Sequence, residues 1–401
     1  MSGPLDGIVV LDMSRVLAGP WAGQLLADLG AQVIKIERPG SGDDTRSWGP
    51  PWLEDAAGDP LEAAYFLCAN RGKQSLAVDI TRPEGQALVR ELASRADILL
   101  ENFKVGGLKK YGLDYASLHE LNPGLIGCSI TGFGQDGPYA HRAGYDFMIQ
   151  AMGGLMSVTG DAEGMPMKTG VAITDVMTGL YAAVGVLAAL HERGRTGAGR
   201  HIDVALLDVQ LATLANQALN TLVSGRDPQR HGNAHPNIVP YQAFACADGY
   251  LVLTVGNDSQ FVRFATLLGH PEWATDPAYA TNGARVANRD TLVALIEACL
   301  LARPRDAWLA DFETHGIPAG PINTISESLH DPQVLHRGMV TTLERGGNAV
   351  PQIGNPLRFD GDGQTSRRAP PGLGQDSDSV LAGMGLNAEQ IEALREQGII
   401  A

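Results

Sequence analysis

Cysteine is scarce in this chain and never clustered. Cys68, Cys128, Cys246 and Cys299 are the only four in 401 residues, and no two form a CxxC pair. That spacing argues against a metal site or a disulfide framework and predicts buried thiols. Positive charge is also in deficit: 30 Lys and Arg face 45 Asp and Glu, a formal net charge of −15. Nucleic acid and anionic membrane surfaces are therefore excluded as partners for the molecule as a whole. No apolar run approaches the roughly 18–20 residues of a membrane span. The start, MSGPLDGIVVLDMS, lacks the basic region and apolar core of a signal peptide. A cytoplasmic protein with no membrane association is expected.

What is present suits a globular chain. Hydrophobic residues make up 44% and charged residues 19%, ordinary for a large domain joined to a smaller one. The first half alternates strand-like and helix-like runs: GIVVLDM, GPWAGQLLADLG, QVIKIE, EGQALVRELASRA, DILLENF and GLIGCSITGFG. Such alternation predicts a parallel sheet covered by helices. HIDVALLD reads as a further strand, followed by the helical VQLATLANQALNTLVSG. YQAFACADGYLVLTVG is a hairpin pattern around Asp248-Gly249, and helical stretches follow it. The predicted domains are a large α/β domain over 1–225, a small α+β domain over 226–320 and a C-terminal segment over 321–401. Asn387 and Gln390 suit the N-cap of a final helix, and RRAPPGLGQ reads as a surface loop.

The opening β-α-β unit resembles a dinucleotide fold, with Glu37 placed as a ribose ligand, but VLAGPWAG lacks GxGxxG. Arg38 next to it suits a ribose phosphate, as in NADP or the 3′-phosphate of coenzyme A. Arg46, Arg71, Lys73, Lys104, Lys109, Lys110 and Arg142 stand in loops, several of them after predicted strands. In an acidic protein they predict a local positive lobe for a polyanionic ligand. His231 and His235 have i,i+4 spacing, but Gly232 and Pro236 rule out the helix a zinc pair needs. No metal is expected, and a loop histidine that hydrogen-bonds a ligand is.

Asp175 stands at the mouth of a run, Val176 to Leu190, that is apolar nearly all round and predicts a buried helix. Asp is a favoured N-cap. A carboxylate near the positive end of a helix is also expected to stay ionised, with a neighbouring amide available to a developing oxyanion. Gly179, one turn inside, leaves room for something to approach.

Five segments carry a resemblance: LAGPWAGQLLADLGAQVIKIERPGSGDDTR, NRGKQSLAVDI, ADILLENF, SITGFGQDGPYAHRAGYD and TGVAITDVMTGLYAAVGVLAALHERGRTGAGRHIDVALLD. In these, and over essentially its whole length, the chain resembles class III coenzyme A transferases, the formyl-CoA and carnitine-CoA transferase family. The resemblance implies a Rossmann-like large domain, a small central domain and an interlocked homodimer. It places the catalytic aspartate on Asp175 and the CoA contacts on Val16, Arg38, Asn70, Lys73 and Lys110. The glycine run that covers the site in formyl-CoA transferases is replaced by GNAHPNIVPYQAF. With AGYD, this is most similar to members that use succinyl-CoA and dicarboxylates such as glutarate, itaconate, mesaconate or malate. Arg142, Tyr145, His235 and Asn237 are then the candidates for substrate binding, and no permanently bound cofactor is implied.

The implied chemistry suits an aspartate. Exchange of CoA between carboxylates needs an activated acyl group, which a carboxylate nucleophile supplies as a mixed anhydride. The alternatives are an oxalate-specific formyl-CoA transferase, an α-methylacyl-CoA racemase on the same fold, or a non-catalytic CoA-binding protein. The racemases carry a histidine in AGHD, where Tyr145 stands here, and a phenol with a reference pKa of about 10 is a poor base near neutral pH. Retention of Asp175 speaks against a non-catalytic protein.

Overall fold

The computed structural model describes residues 3–401. Among the described residues its larger unit comprises 3–155, 169–219 and 332–401, and its smaller unit 156–168 and 220–331. The smaller unit thus takes in an earlier segment that the sequence pattern assigned to the large domain. The cause is local: the Arg230 guanidinium donates to the carbonyls of Asp161, Ala162 and Gly164, which ties that segment to the 230s loop.

The larger unit is built on six parallel strands. They are β1 (Val9–Asp12), β2 (Gln32–Glu37), β3 (Lys73–Ala77), β4 (Ile98–Glu101), β5 (Ile126–Thr131) and β6 (His201–Ala205), in the spatial order β3-β2-β1-β4-β5-β6. β1, β4 and β5 are mostly apolar because both faces are covered, whereas β2 and β3 carry buried charged residues, Lys35, Glu37 and Lys73. One face packs on α1 (Ala18–Asp28), α4 (Ile173–Thr196) and α5 (Leu206–Thr213) through Ala22, Leu26, Ala182, Val186 and Val209. The other packs on α2 (Pro83–Arg95) and on the chain's last two helices through Leu88, Val89, Leu381 and Ile391. In this order the chain proceeds outward in opposite directions from β1 and from β4, and ligands of α/β sheets bind at the carboxyl ends of the strands at such a point.

The larger unit also buries a set of ion pairs. Lys73 pairs with Asp12 at 2.8 Å and Lys35 with Asp43 at 2.9 Å, all four side chains fully buried. Arg46 pairs with Glu37 at 2.7 Å, and Arg71 with Asp28 at 2.7 Å. Removing one member of such a pair costs about 3–5 kcal/mol, since the other is left charged in the interior.

Several expectations need correction. The long helix has 24 residues and is apolar enough, by length and composition, to cross a membrane. Packing decides its character: Thr174, Asp175, Thr178, Gly179, Ala182, Ala183, Val186 and Ala189 face the core, while Leu180, Tyr181, Val184 and Leu187 are exposed. Gly179 leaves no room for a ligand, since a Cβ there would stand 2.6 Å from the Ala18 carbonyl oxygen. Its role is to let α1 and α4 approach closely. Ala369, Pro370 and Pro371 of the expected surface loop are buried, with the Pro370 and Pro371 carbonyls accepting from Arg345 and Arg46. Cys128 and Cys246 are buried, but Cys68 is exposed and Cys299 half-buried.

The smaller unit holds an antiparallel sheet of β7 (Tyr241–Cys246), β8 (Gly249–Thr254) and β9 (Ala319–Pro321), with β8 in the middle. The hairpin turn is Ala247-Asp248, because Gly249 already pairs with Cys246. Phe244, Leu251, Leu253, Phe261, Phe264, Trp308 and Phe312 form its core. Back in the larger unit, the final helix, Ala388–Glu396, carries the expected cap, with Asn387 and Gln390 exchanging bonds reciprocally.

Candidate active site

A cleft in the larger unit opens at the carboxyl ends of β1, β4 and β5. Arg15, Val16, Leu17 and Ala18 line it after β1, Asn102 to Val105 after β4, and Thr131 and Gly132 at the end of β5; Arg142, Tyr145 and Asp175 complete it. The first two loops are laced together: Arg15 N–H donates to Asn102 Oδ1 at 2.9 Å, and Asn102 Nδ2 to the Arg15 carbonyl at 2.7 Å. Val16 has a φ of 73°, a left-handed conformation strained for a β-branched residue by about 1–3 kcal/mol. It is held there by Asp43, whose two carboxylate oxygens share the Val16 N–H at 3.2 and 3.3 Å. Lys35 and Thr45 keep Asp43 ionised against its burial, lowering it to about 2.

Asp175 lies in the first turn of α4 but does not cap it. The N-cap is Ala172, which supplies no side-chain bond. The cap comes from another element. Asp146, the first residue of α3 (Asp146–Met152), accepts from Thr174 N–H at 2.9 Å and from Asp175 N–H at 3.4 Å through Oδ1. Its Oδ2 accepts from Gln150 Nε2 at 2.7 Å. Thr174 is fixed further by its hydroxyl, which donates to Gln210 Oε1 at 2.6 Å.

The Asp175 carboxyl is buried, with 9% exposure, and accepts no hydrogen bond among the described residues. Burial, and then the nearby Asp146 carboxylate, push it up to about 7. The expectation of a fully ionised helix-end carboxylate fails here because Asp146 has taken the backbone donors that would have stabilised it.

A residue the sequence reading missed also senses this charge. Tyr65, in the short helix Ala64–Leu67, is pushed up to about 12 by its burial, then by Asp175, Cys68 and Asp146. Its ring meets Trp48 edge-on at 5.2 Å. Nothing in AYFL marks it, since only the fold brings Tyr65 within electrostatic reach of Asp175.

The structure sorts the remaining expectations. Arg142 lies 4.7 Å over the Tyr139 ring and 5.3 Å over that of Phe133, and Tyr145 is 65% exposed at the mouth of the cleft. Lys104 lines the same cleft. Arg38 lines a second one with Asp79, Thr81, Phe103 and Tyr111. Lys110 stands beside it, its ammonium 4.6 Å over the Tyr111 ring.

Asn70 and Lys73 do not reach either cleft. Both are fully buried, and Lys73 Nζ donates to Asp12, to the Pro20 carbonyl and to Asn70 Oδ1. Their place is under α1, as structural partners of β1. Arg46 and Arg71 likewise leave the expected positive lobe for buried pairs, and Glu37 binds Arg46 where a ribose was expected.

His235 and Asn237 belong to the smaller unit. The Asn237 N–H donates to His235 Nδ1 at 3.1 Å, and Arg289 donates to the carbonyls of His235 and Pro236. Burial and then Arg289 lower the His235 pKa, so the ring is neutral near pH 7 with its donor at Nε2.

Residues 5–377 match CoA-transferase family III, and the chain belongs to that family and is a CoA-transferase. It is 53% identical over 380 residues to the succinate–glutarate CoA-transferase of Agrobacterium fabrum, a match covering 94% of this chain and 95% of that one. It is 45% identical over 381 residues to the succinyl-CoA:glutarate CoA-transferase of Mus musculus, covering 94% and 86%. Among solved structures, a CAIB/BAIF family protein from Brucella suis matches with a TM-score of 0.85 and 50% identity, covering 96% of this chain and all of that one.

Proposed function

We propose that this enzyme moves coenzyme A from succinyl-CoA to a free dicarboxylic acid, with glutarate the first candidate and itaconate, mesaconate and malate next. The observation that carries the reading is the Asp175 carboxyl, buried and without a hydrogen-bond donor among the described residues, in a cleft at the sheet's switch point. The names of the relatives at 53% and 45% identity supply the acyl class.

An Asp175 oxygen attacks the thioester carbonyl carbon. The C–S bond breaks, CoA leaves as thiolate, and a mixed anhydride remains. The thiolate then attacks the aspartyl carbonyl carbon, the anhydride C–O bond breaks, and succinate departs, leaving an aspartyl-CoA thioester. The acceptor acid reverses the sequence. Each step trades one carboxylate or thiolate for another, so no ATP is needed. Arg38 and Lys110 hold the ADP end of CoA, with Val16 beside the thioester. Arg142, Tyr145, His235 and Asn237 serve the acyl part; a buried second carboxylate must be paired or hydrogen-bonded.

The chain works as a homodimer, interlocked as in the family it resembles. Supporting this, Tyr181 and Val184 on α4 and Leu211 on α5 are 47%, 64% and 59% exposed, an apolar surface that a partner copy covers.

Incubation with succinyl-CoA and a panel of dicarboxylates, with mass spectrometry of the CoA products, tests the reading. Glutaryl-CoA and free succinate are expected. Turnover with oxalate or monocarboxylates alone would contradict the acyl assignment.

A further inference from the structure

The nucleophile's neighbour has more than a capping task. We infer that Asp146 is a positioning residue for the transfer reaction: it fixes the first turn of α4 through two backbone N–H groups and keeps a negative charge against Asp175, which favours the acylated forms of the enzyme. This rests on the proposed role of Asp175.

Geometry carries the inference. Asp146 accepts from the Thr174 and Asp175 N–H groups and from Gln150 Nε2, and accepting three bonds while donating none suits an anion. Gln150 is itself fully buried, and its Oε1 accepts from Thr169 N–H at 3.0 Å. The Asp146 carboxylate is thus oriented from both sides. A neutral side chain with one acceptor oxygen would cap the helix about as well, so capping alone does not require the charge.

The charge acts on the chemistry through bookkeeping of electrons. Asp175 begins as a carboxylate and becomes neutral as anhydride and as thioester, its negative charge passing first to the CoA thiolate and then to the departing acid. An anion beside it destabilises only the unacylated carboxylate, which raises its reactivity toward the thioester and disfavours its return. The other charged and titratable groups facing the cleft are Arg15, Asp44, Lys104, Arg142 and Tyr145, with Tyr65 from its own helix. The cations line the cleft, whereas Asp146 sits behind the nucleophile's own backbone.

The test is the pH dependence of kcat/KM for succinyl-CoA in wild type, Asp146→Asn, Asp146→Ser and Gln150→Ala. Asn and Ser both cap without charge, so one serves if the other fails to fold. Gln150→Ala keeps the charge but loses one hydrogen bond. Wild-type kcat/KM is expected to fall on acidification with a midpoint near 7. Either neutral variant moves that midpoint about one pH unit lower and lowers the alkaline plateau roughly tenfold; Gln150→Ala leaves the midpoint in place. An unmoved midpoint in a folded neutral variant, or a wild-type midpoint near 4, overturns the inference. A separate measurement guards the underlying reading: wild type treated with succinyl-CoA must yield a CoA adduct on Asp175. With that adduct present and the midpoint unmoved, only the inference fails; without the adduct, the proposed function fails as well.

Discussion

Two groups of buried carboxylates sit within the same unit and behave in opposite ways. Asp12, Glu37 and Asp43 are each paired with a buried cation and hold their protons less tightly than usual, because the attraction of Lys73, Arg46 and Lys35 outweighs the cost of burial. Asp175, at the cleft, has no ion pair or hydrogen-bond donor among the described residues and an anion near it, and its pKa rises to about 7. Burial is common to both. What separates a structural acid from a reactive one is whether the fold supplies a partner.

The difference has a pH signature. Asp43, lowered to about 2, contributes stability above the ordinary range near 4 and loses it as pH falls through 2. Asp175 has the reverse sign: the folded state holds its proton more tightly, so its contribution is greatest below about 4 and is lost as pH rises through about 7.

Substitutions sharpen the contrast, beginning with the largest effect. Asp175→Ala is expected to fold but to lose transfer activity by roughly four or more orders of magnitude in steady-state assays, as for a covalent nucleophile. Next, Lys73→Ala leaves Asp12 buried and unpaired, at a cost of about 3–5 kcal/mol in urea unfolding. If Lys73→Ala instead left stability intact and raised the KM for acyl-CoA, Lys73 would return to the ligand set. Asp175→Asn removes an unpaired buried charge, so this inactive variant is expected to be more stable than wild type at pH 8 by about 2–4 kcal/mol. The gain should shrink to less than half at pH 5 and vanish below about pH 4; an equal gain at pH 8 and pH 4 would point to packing. Smallest is Arg38→Ala, the exposed counterpart of Lys73. It should leave the melting temperature unchanged and raise the KM for succinyl-CoA several-fold, about 1 kcal/mol, with less effect on dephospho-CoA thioesters.

The same contrast explains what could be read from sequence. Alternating runs mark the strands of the sheet, because hydrophobic period is a local signal, and Lys104, expected in a loop after the DILLENF strand, lines the cleft. Asp175 was legible through its motif. The fates of Asn70, Lys73, Arg46 and Glu37 were not, since a polar residue at or near a strand end looks alike whether it meets solvent or a buried partner from elsewhere in the chain. The cap of α4 was hidden for a related reason: Asp146 stands 29 residues away along the chain from Asp175, beyond any N-cap pattern. The exposed stripe of α4 also escaped notice, because an all-round apolar helix shows no periodicity to mark which side the core takes.

The central claim is that Asp175 carries CoA covalently. Wild-type enzyme mixed with succinyl-CoA, quenched in acid and digested, is to be analysed by peptide mass spectrometry, with hydroxylamine treatment in parallel. The account predicts a CoA adduct on the peptide containing Asp175, replaced by a hydroxamate at that residue after hydroxylamine and absent from Asp175→Asn. An active preparation that shows no adduct, or carries it on another side chain, contradicts the account.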